Sequence, residues 1–176
     1  MTTRKISALV GTCTVLVAGA LTLPVSAGGD KVAFPQNYGV LFTTVDRPDI
    51  KQFRELYAPQ AAINAAKKGQ PLPDGTVLTM VNYAPQLGPD GNPMKDANGR
   101  FIKTNIVGIL VMAKRKGWGT EYPDNIRNGE WEYQAFTPDK KVNDKANLTA
   151  CFNCHKPKDK DDFTFSYERL KTFVKK

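Results

Sequence analysis

Apolar and polar positions change rhythm several times along the chain, and each change marks an element. Residues 6–23 are almost wholly apolar, diluted only by small or hydroxyl side chains. Pro48 and Asp49 mark a helix start with Asp49 as its cap, while residues 54–58 fit a helix or a short strand equally. Residues 60–68 are rich in Ala and Lys, follow Pro59 and stop at Gly69, the pattern of a short helix with a glycine terminator. Residues 75–83 alternate, with Val77, Thr79, Val81 and Tyr83 on one face and Thr76, Leu78, Met80 and Asn82 on the other. Turn chemistry fills 84–103, including Asp90-Gly91-Asn92-Pro93 and Asn98-Gly99. A near-continuous apolar run at 105–115 reads as a strand buried on both faces. Residues 130–137 form a further strand, Trp131, Tyr133 and Ala135 opposing Glu132, Gln134 and Phe136. A helix over 147–154 leads into a cysteine motif, and beyond a charged turn Phe163, Tyr167, Leu170 and Val174 recur at helical spacing as a core-packing stripe. The pattern predicts an α+β fold, an antiparallel β-sheet with flanking helices.

The first apolar run carries a different message. Arg4 and Lys5 precede it, and Pro24-Val25-Ser26-Ala27 ends it with small residues, which together describe a signal peptide over 1–27 cleaved after Ala27. A membrane anchor is the competing reading, weakened by the glycines, threonines and Pro24; lipidation at Cys13 fits worse, because Thr12 precedes it within the run. Residues 28–176 are then a periplasmic domain with no stable membrane span. Losing Arg4 and Lys5 lowers the formal net charge of the 176-residue chain from +8 to +6. Export removes nucleic acid as a partner, and the dispersed lysines read as a solvated surface, with a docking patch for a redox partner protein as the sharper alternative. Cys13 leaves with the signal, so the exported chain keeps two cysteines, Cys151 and Cys154.

Those two cysteines stand in Cys151-Phe152-Asn153-Cys154-His155, and His155 is the only histidine of the chain. The spacing C-x-x-C-H is that of c-type haem attachment. Two thiols at i and i+3 on one helical turn can each add to a vinyl group on one porphyrin edge, and the following imidazole then reaches the iron. A structural zinc site needs four ligands where this chain offers three, and a thioredoxin-like dithiol belongs after an early strand, not behind the sheet. The expected cofactor is one covalent haem c held by a C-terminal helix, bound through Cys151, Cys154 and His155, with His155 as proximal iron ligand. No second histidine remains for the sixth position, which is left to methionine, lysine, a small ligand, water or nothing.

The chain resembles the cytochrome P-460 family, which also holds the cytochromes c′-beta. The likeness rests on Pro73-Asp74-Gly75-Thr76-Val77 opening a strand, on Glu130-Trp131-Glu132-Tyr133 with Phe136, and on Ala150-Cys151-x-x-Cys154-His155-Lys156 before an aromatic-rich helix. The resemblance implies a sheet-rich fold with haem against one sheet face, frequently a homodimer, acting on small nitrogen species by binding nitric oxide or oxidising hydroxylamine. Members that oxidise hydroxylamine carry a lysine cross-linked to the porphyrin where this chain has Met80, and a thioether cannot form that nitrogen–carbon bond. Met80 is expected to pack on the porphyrin edge, with an axial-ligand role as the alternative. Met112 reads as core, and Met94 as a weaker ligand candidate. Glu132 is a distal acid–base candidate or a rim residue, Phe136 a candidate lining of the haem, and Gln134, Arg127 and Tyr133 lie near them. The expected function is ligand binding or electron transfer at a His-ligated haem, with oxidation of hydroxylamine or peroxide chemistry as the alternative.

Overall fold

The computed structural model describes residues 28–175, so the signal segment and Cys13 lie outside the described residues. Five antiparallel strands form one meander in sequence order, β1 (Val40–Arg47), β2 (Gln52–Ala58), β3 (Val77–Pro85), β4 (Lys103–Lys114) and β5 (Trp131–Phe136). Three helices accompany them: α1 (Gln60–Lys67), α2 (Leu148–His155) and α3 (Tyr167–Lys171). The predicted α+β class holds. Among the described residues no helix is long and apolar enough to cross a membrane.

The first strand escaped the sequence reading, the second is the strand alternative left open for 54–58, and the expected helix start at Pro48 is a correction. Pro48–Ile50 makes a single 3-10 turn that joins β1 to β2, and Lys51 follows it in the left-handed region. Asp49 caps no helix; its carboxylate receives the Arg47 guanidinium at 2.7 and 3.0 Å. Residues 54–58 resolve as strand. Their alternation, Phe53, Glu55 and Tyr57 against Arg54, Leu56 and Ala58, was masked by the adjacent charges Arg54 and Glu55. The helix over 60–68 is confirmed as α1, with Gly69 at φ +68° stopping it.

Strand pairing gives the sheet two apolar faces. On one, Leu78, Met112, Trp131 and Tyr133 pack with Phe42 of β1, Ala62 and Ile63 of α1, Phe152 of α2, and Tyr167 and Leu170 of α3. On the other, Val81, Ile109, Val111, Ala113 and Phe136 are covered by Val32, Phe34 and Tyr38 of the N-terminal segment and by Trp118. The expected two-sided burial of the 105–115 run holds only for its second half, since Val107 is 43% exposed. Of the predicted C-terminal stripe, Tyr167 and Leu170 are buried, but α3 ends at Lys171 and Val174 is exposed.

Gly39 opens β1 at φ +83°, where a Cβ would meet the Ala58 carbonyl carbon at 2.8 Å. The residue therefore needs both the left-handed backbone and the missing side chain. Gly39→Ala is expected to lower the urea midpoint, by about 1–3 kcal/mol of stability without a change in slope.

Candidate haem-binding site

α2 begins where Asn147 caps it, its side-chain oxygen accepting the Ala150 N–H at 3.2 Å. Phe152 anchors the helix to the sheet: it is buried, with its ring 4.7 Å from that of Tyr133 and 4.9 Å from that of Tyr122. Asn128 fastens the same joint, donating from one amide nitrogen to the Phe152 carbonyl at 3.0 Å and the Tyr133 hydroxyl at 2.9 Å. Cys151 and Cys154 stand one turn apart as free thiols, the first half-buried and the second exposed. Burial, with Cys154 nearby, raises the Cys151 thiol above its ordinary range.

His155 is oriented by its own loop. Its Nδ1 lies 2.6 Å from the Phe163 carbonyl oxygen. A carbonyl only accepts, so Nδ1 carries the proton and the neutral ring keeps its lone pair on Nε2. Burial lowers the pKa of His155, against the opposing pull of the Phe163 carbonyl, and so favours that neutral ring. The rings of Tyr133 and Phe165 flank the imidazole at 5.1 Å each, and Phe165 is 57% exposed beside it.

The loop holds an uncommon backbone. Asp162 and Phe163 both have positive φ, +50° and +57°, which a bulky Phe adopts only when its surroundings over-determine it. The Asp162 carboxylate supplies that control. It accepts from Leu72 N–H at 2.8 Å, from Lys114 Nζ at 2.9 Å to each oxygen, and from Trp131 Nε1 at 3.4 Å. Phe163 N–H closes the turn on the Lys158 carbonyl at 2.7 Å. Two residues of the sheet, Lys114 and Trp131, thus hold the turn that presents a carbonyl to His155.

The register decides which other residues share this face. Leu56, Met80, Leu110 and Ala135 form one row across four strands, beside the row of Leu78, Met112 and Tyr133. Met80 therefore lies on the face of Tyr133, the ring that touches His155, and is half-buried. Beyond it Arg54 pairs with Asn82 on the same face. Among the described residues Arg54 Nε and Asn82 Oδ1 are buried without a hydrogen-bond partner, and desolvation lowers the Arg54 pKa. The sequence reading missed both, because 54–58 stayed open between helix and strand; alternation over 53–58 is the signal that would have found them.

Glu132 and Phe136, the expected distal acid–base candidate and haem lining, do not join this face. Alternation along β5 turns them, with Gln134, to the opposite side from Tyr133. Phe136 packs there edge-on against Phe34 at 5.2 Å. Glu132 is 0% exposed and accepts the Tyr122 hydroxyl at 2.9 Å, and burial raises its pKa. Arg127 donates to the Gly129 carbonyl at 3.2 Å. Met112 is buried in the core as expected, whereas Met94 is exposed in the β3–β4 connection.

This donor set suits a c-type haem. Two unpaired thiols one turn apart precede an imidazole whose Nδ1 is already engaged, leaving Nε2 for a metal. Uncovered Phe165 and half-buried Met80 and Leu110 offer apolar surface to a porphyrin, and Arg54 and Asn82 offer buried polar atoms in need of partners. No curated protein matches the chain. The sequence profile of the family described as Cytochrome P460 matches residues 35–166, a span that includes all five strands and the cysteine–histidine motif. The chain belongs to the cytochrome P460 family and is a c-type haem protein.

Proposed function

We propose that this chain is an exported mono-haem cytochrome that binds a small nitrogenous or gaseous ligand, nitric oxide foremost, at the iron position opposite His155. The observation that carries the reading is the Nδ1 contact of His155 with the Phe163 carbonyl, which fixes the tautomer that a proximal ligand needs. Cys151 and Cys154 would hold the haem as thioethers, each S–H adding across one vinyl group, so that attachment would not depend on pocket affinity. When bound, the haem iron supplies a redox-active centre with a coordination position for a diatomic ligand.

The chain's own residues define what the rest of the face can do. Met80 offers a polarizable thioether and no amine, so the lysine cross-link associated with hydroxylamine oxidation is not available at this position. Arg54 brings a cation with a partnerless buried Nε to the Met80 face, a donor for a polar or anionic ligand. Oxidation of hydroxylamine or peroxide chemistry would call for a proton acceptor beside the ligand, and Glu132 lies on the other side of the sheet.

Optical spectra of the purified cytochrome test the reading. The expected result is high-spin ferrous haem that takes up nitric oxide or carbon monoxide rapidly. Low-spin spectra in both redox states, converted to high-spin by Met80→Ala, would replace it with an electron carrier ligated by Met80. Arg54→Leu is expected to weaken binding of a polar ligand by about tenfold while leaving haem content intact, the loss expected for one charge-assisted hydrogen bond. Ligand titrations monitored at the Soret band check it.

A further inference from the structure

Glu132, displaced from the haem face, sits in a site of its own. Its carboxylate is fully buried, with Oε2 occupied by the Tyr122 hydroxyl at 2.9 Å and Oε1 left without a hydrogen bond among the described residues. A buried carboxylate with one free oxygen calls for a cation or donor. The nearest side-chain cation, Lys31, stands 3.8 Å from Oε1 and is engaged more closely by Glu121. What the chain does bring to the carboxylate is its own backbone at Gly28. The Gly28 N–H donates to the Tyr122 hydroxyl, and a Cβ at Gly28 would stand 2.9 Å from that hydroxyl and 3.2 Å from Glu132 Oε1. Gly29 is held equally closely: its carbonyl accepts Gln134 Nε2 at 2.8 Å, and a Cβ there would meet Leu148 Cδ1 at 2.5 Å. Both glycines are buried, and a side chain at either would have to displace the neighbouring side-chain ends.

Gly28 is also the residue that the sequence places directly after the signal cleavage site at Ala27. We propose that cleavage after Ala27 creates an α-ammonium on Gly28 that pairs with the buried Glu132 carboxylate and locks the new N-terminus against β5. The proposal rests on the export reading above. In the cleavage step water adds across the Ala27–Gly28 amide; Ala27 leaves as a carboxylate and the Gly28 nitrogen becomes an ammonium. Before cleavage that nitrogen offers one neutral N–H, already given to Tyr122; afterwards it offers three donors and a positive charge to the Tyr122–Glu132 pair. The other charged groups facing the pair are Asp30 and Lys31 on the same 3-10 turn and Glu121 beside Tyr122. The lock stabilises the exported form and leaves the uncleaved chain with an incompletely satisfied carboxylate.

Four holoproteins test it: chains starting at Gly28, or carrying one added serine before it, each with Glu132 or with Glu132→Gln. Intact mass first establishes that the exported wild-type chain begins at Gly28; a different terminus overturns the export reading and the lock together. With that terminus in place, the added serine is expected to reduce the folding equilibrium constant on the order of 100-fold when Glu132 is present and less than threefold in the Glu132→Gln chain. Equal costs in both backgrounds would overturn the lock while leaving the export and haem readings untouched. Acetylation rates against pH give a second measurement that survives a weakly folding variant. The Gly28 amine should titrate above the ordinary value of about 7.7–8.0 with Glu132 present and return to it in Glu132→Gln. The sign follows: stability from the pair is complete below the ordinary value and lost as pH rises through the raised one. An unshifted amine in the wild-type holoprotein overturns the proposal.

Discussion

Replacing Cys151 and Cys154 together with alanine is expected to leave a chain that releases its haem completely when denatured, where the parent chain retains it. The two thiols are unpaired and one helical turn apart, so each is free to form its own thioether. On the proposed attachment either bond alone would keep the porphyrin tethered with His155 beside the iron, so single variants should retain covalent haem. With neither, the cofactor is held by the imidazole and by apolar contact, and the effective concentration that a tether gives, on the order of 10⁵ M or more for well-placed groups, is gone. Intact mass and acid–acetone extraction read the outcome. A parent protein, made in a host competent for cytochrome c maturation, that lacks the added mass of haem would sink the assignment of all three residues. The companion variant His155→Ala keeps both thioethers, and should therefore keep its haem mass while losing the proximal-imidazole spectrum.

Asp162→Ala is expected to cost about 3–5 kcal/mol, the range found when one partner of a buried ion pair is removed. The carboxylate and its partner Lys114 are only 12% and 11% exposed at their side chains, so the abandoned ammonium cannot recover full hydration. Leu72 N–H loses its acceptor in the same step. The damage extends to the haem side, because Asp162 fixes the left-handed turn from which Phe163 offers its carbonyl to His155. Urea unfolding of the holoprotein should show a large fall in midpoint, and the spectrum should show a weakened or heterogeneous proximal bond. Asp162→Asn, which keeps acceptor geometry without charge, should fall between; the double variant Lys114→Met, Asp162→Asn should recover part of the loss, since no charge then remains buried. A midpoint unchanged by Asp162→Ala would refute the role given to this pair.

The c-type haem class was legible because the motif is local: Cys151, Cys154 and His155 signal by spacing alone, and one helix holds all three. The third to fifth strands were legible because their alternation or apolar runs are strong. β1 was not, and β2 stayed undecided between helix and strand, since Arg54 and Glu55 put two charges side by side where a half-buried strand carries one, and the Pro48-Asp49 pair imitates a helix start. The distal candidates show a different limit. Alternation correctly put Glu132 and Phe136 together and opposite Tyr133, but only pairing and packing say which of the two faces receives α2. Arg54 was invisible for the same reason, since its place beside Met80 is set by cross-strand register and not by any motif.

Glu132 and Tyr133 are joined by one peptide bond, yet one looks toward Tyr122 and Gly28 and the other toward the imidazole. β5 consequently acts as a partition whose two sides are keyed to each other by the two-residue repeat of an extended chain. Losing or gaining a single amino acid within this strand would present the carboxylate to the His155 side and the phenol to Gly28, spoiling both at a stroke. Point substitutions along β5 are therefore survivable one side at a time, whereas length changes there are not.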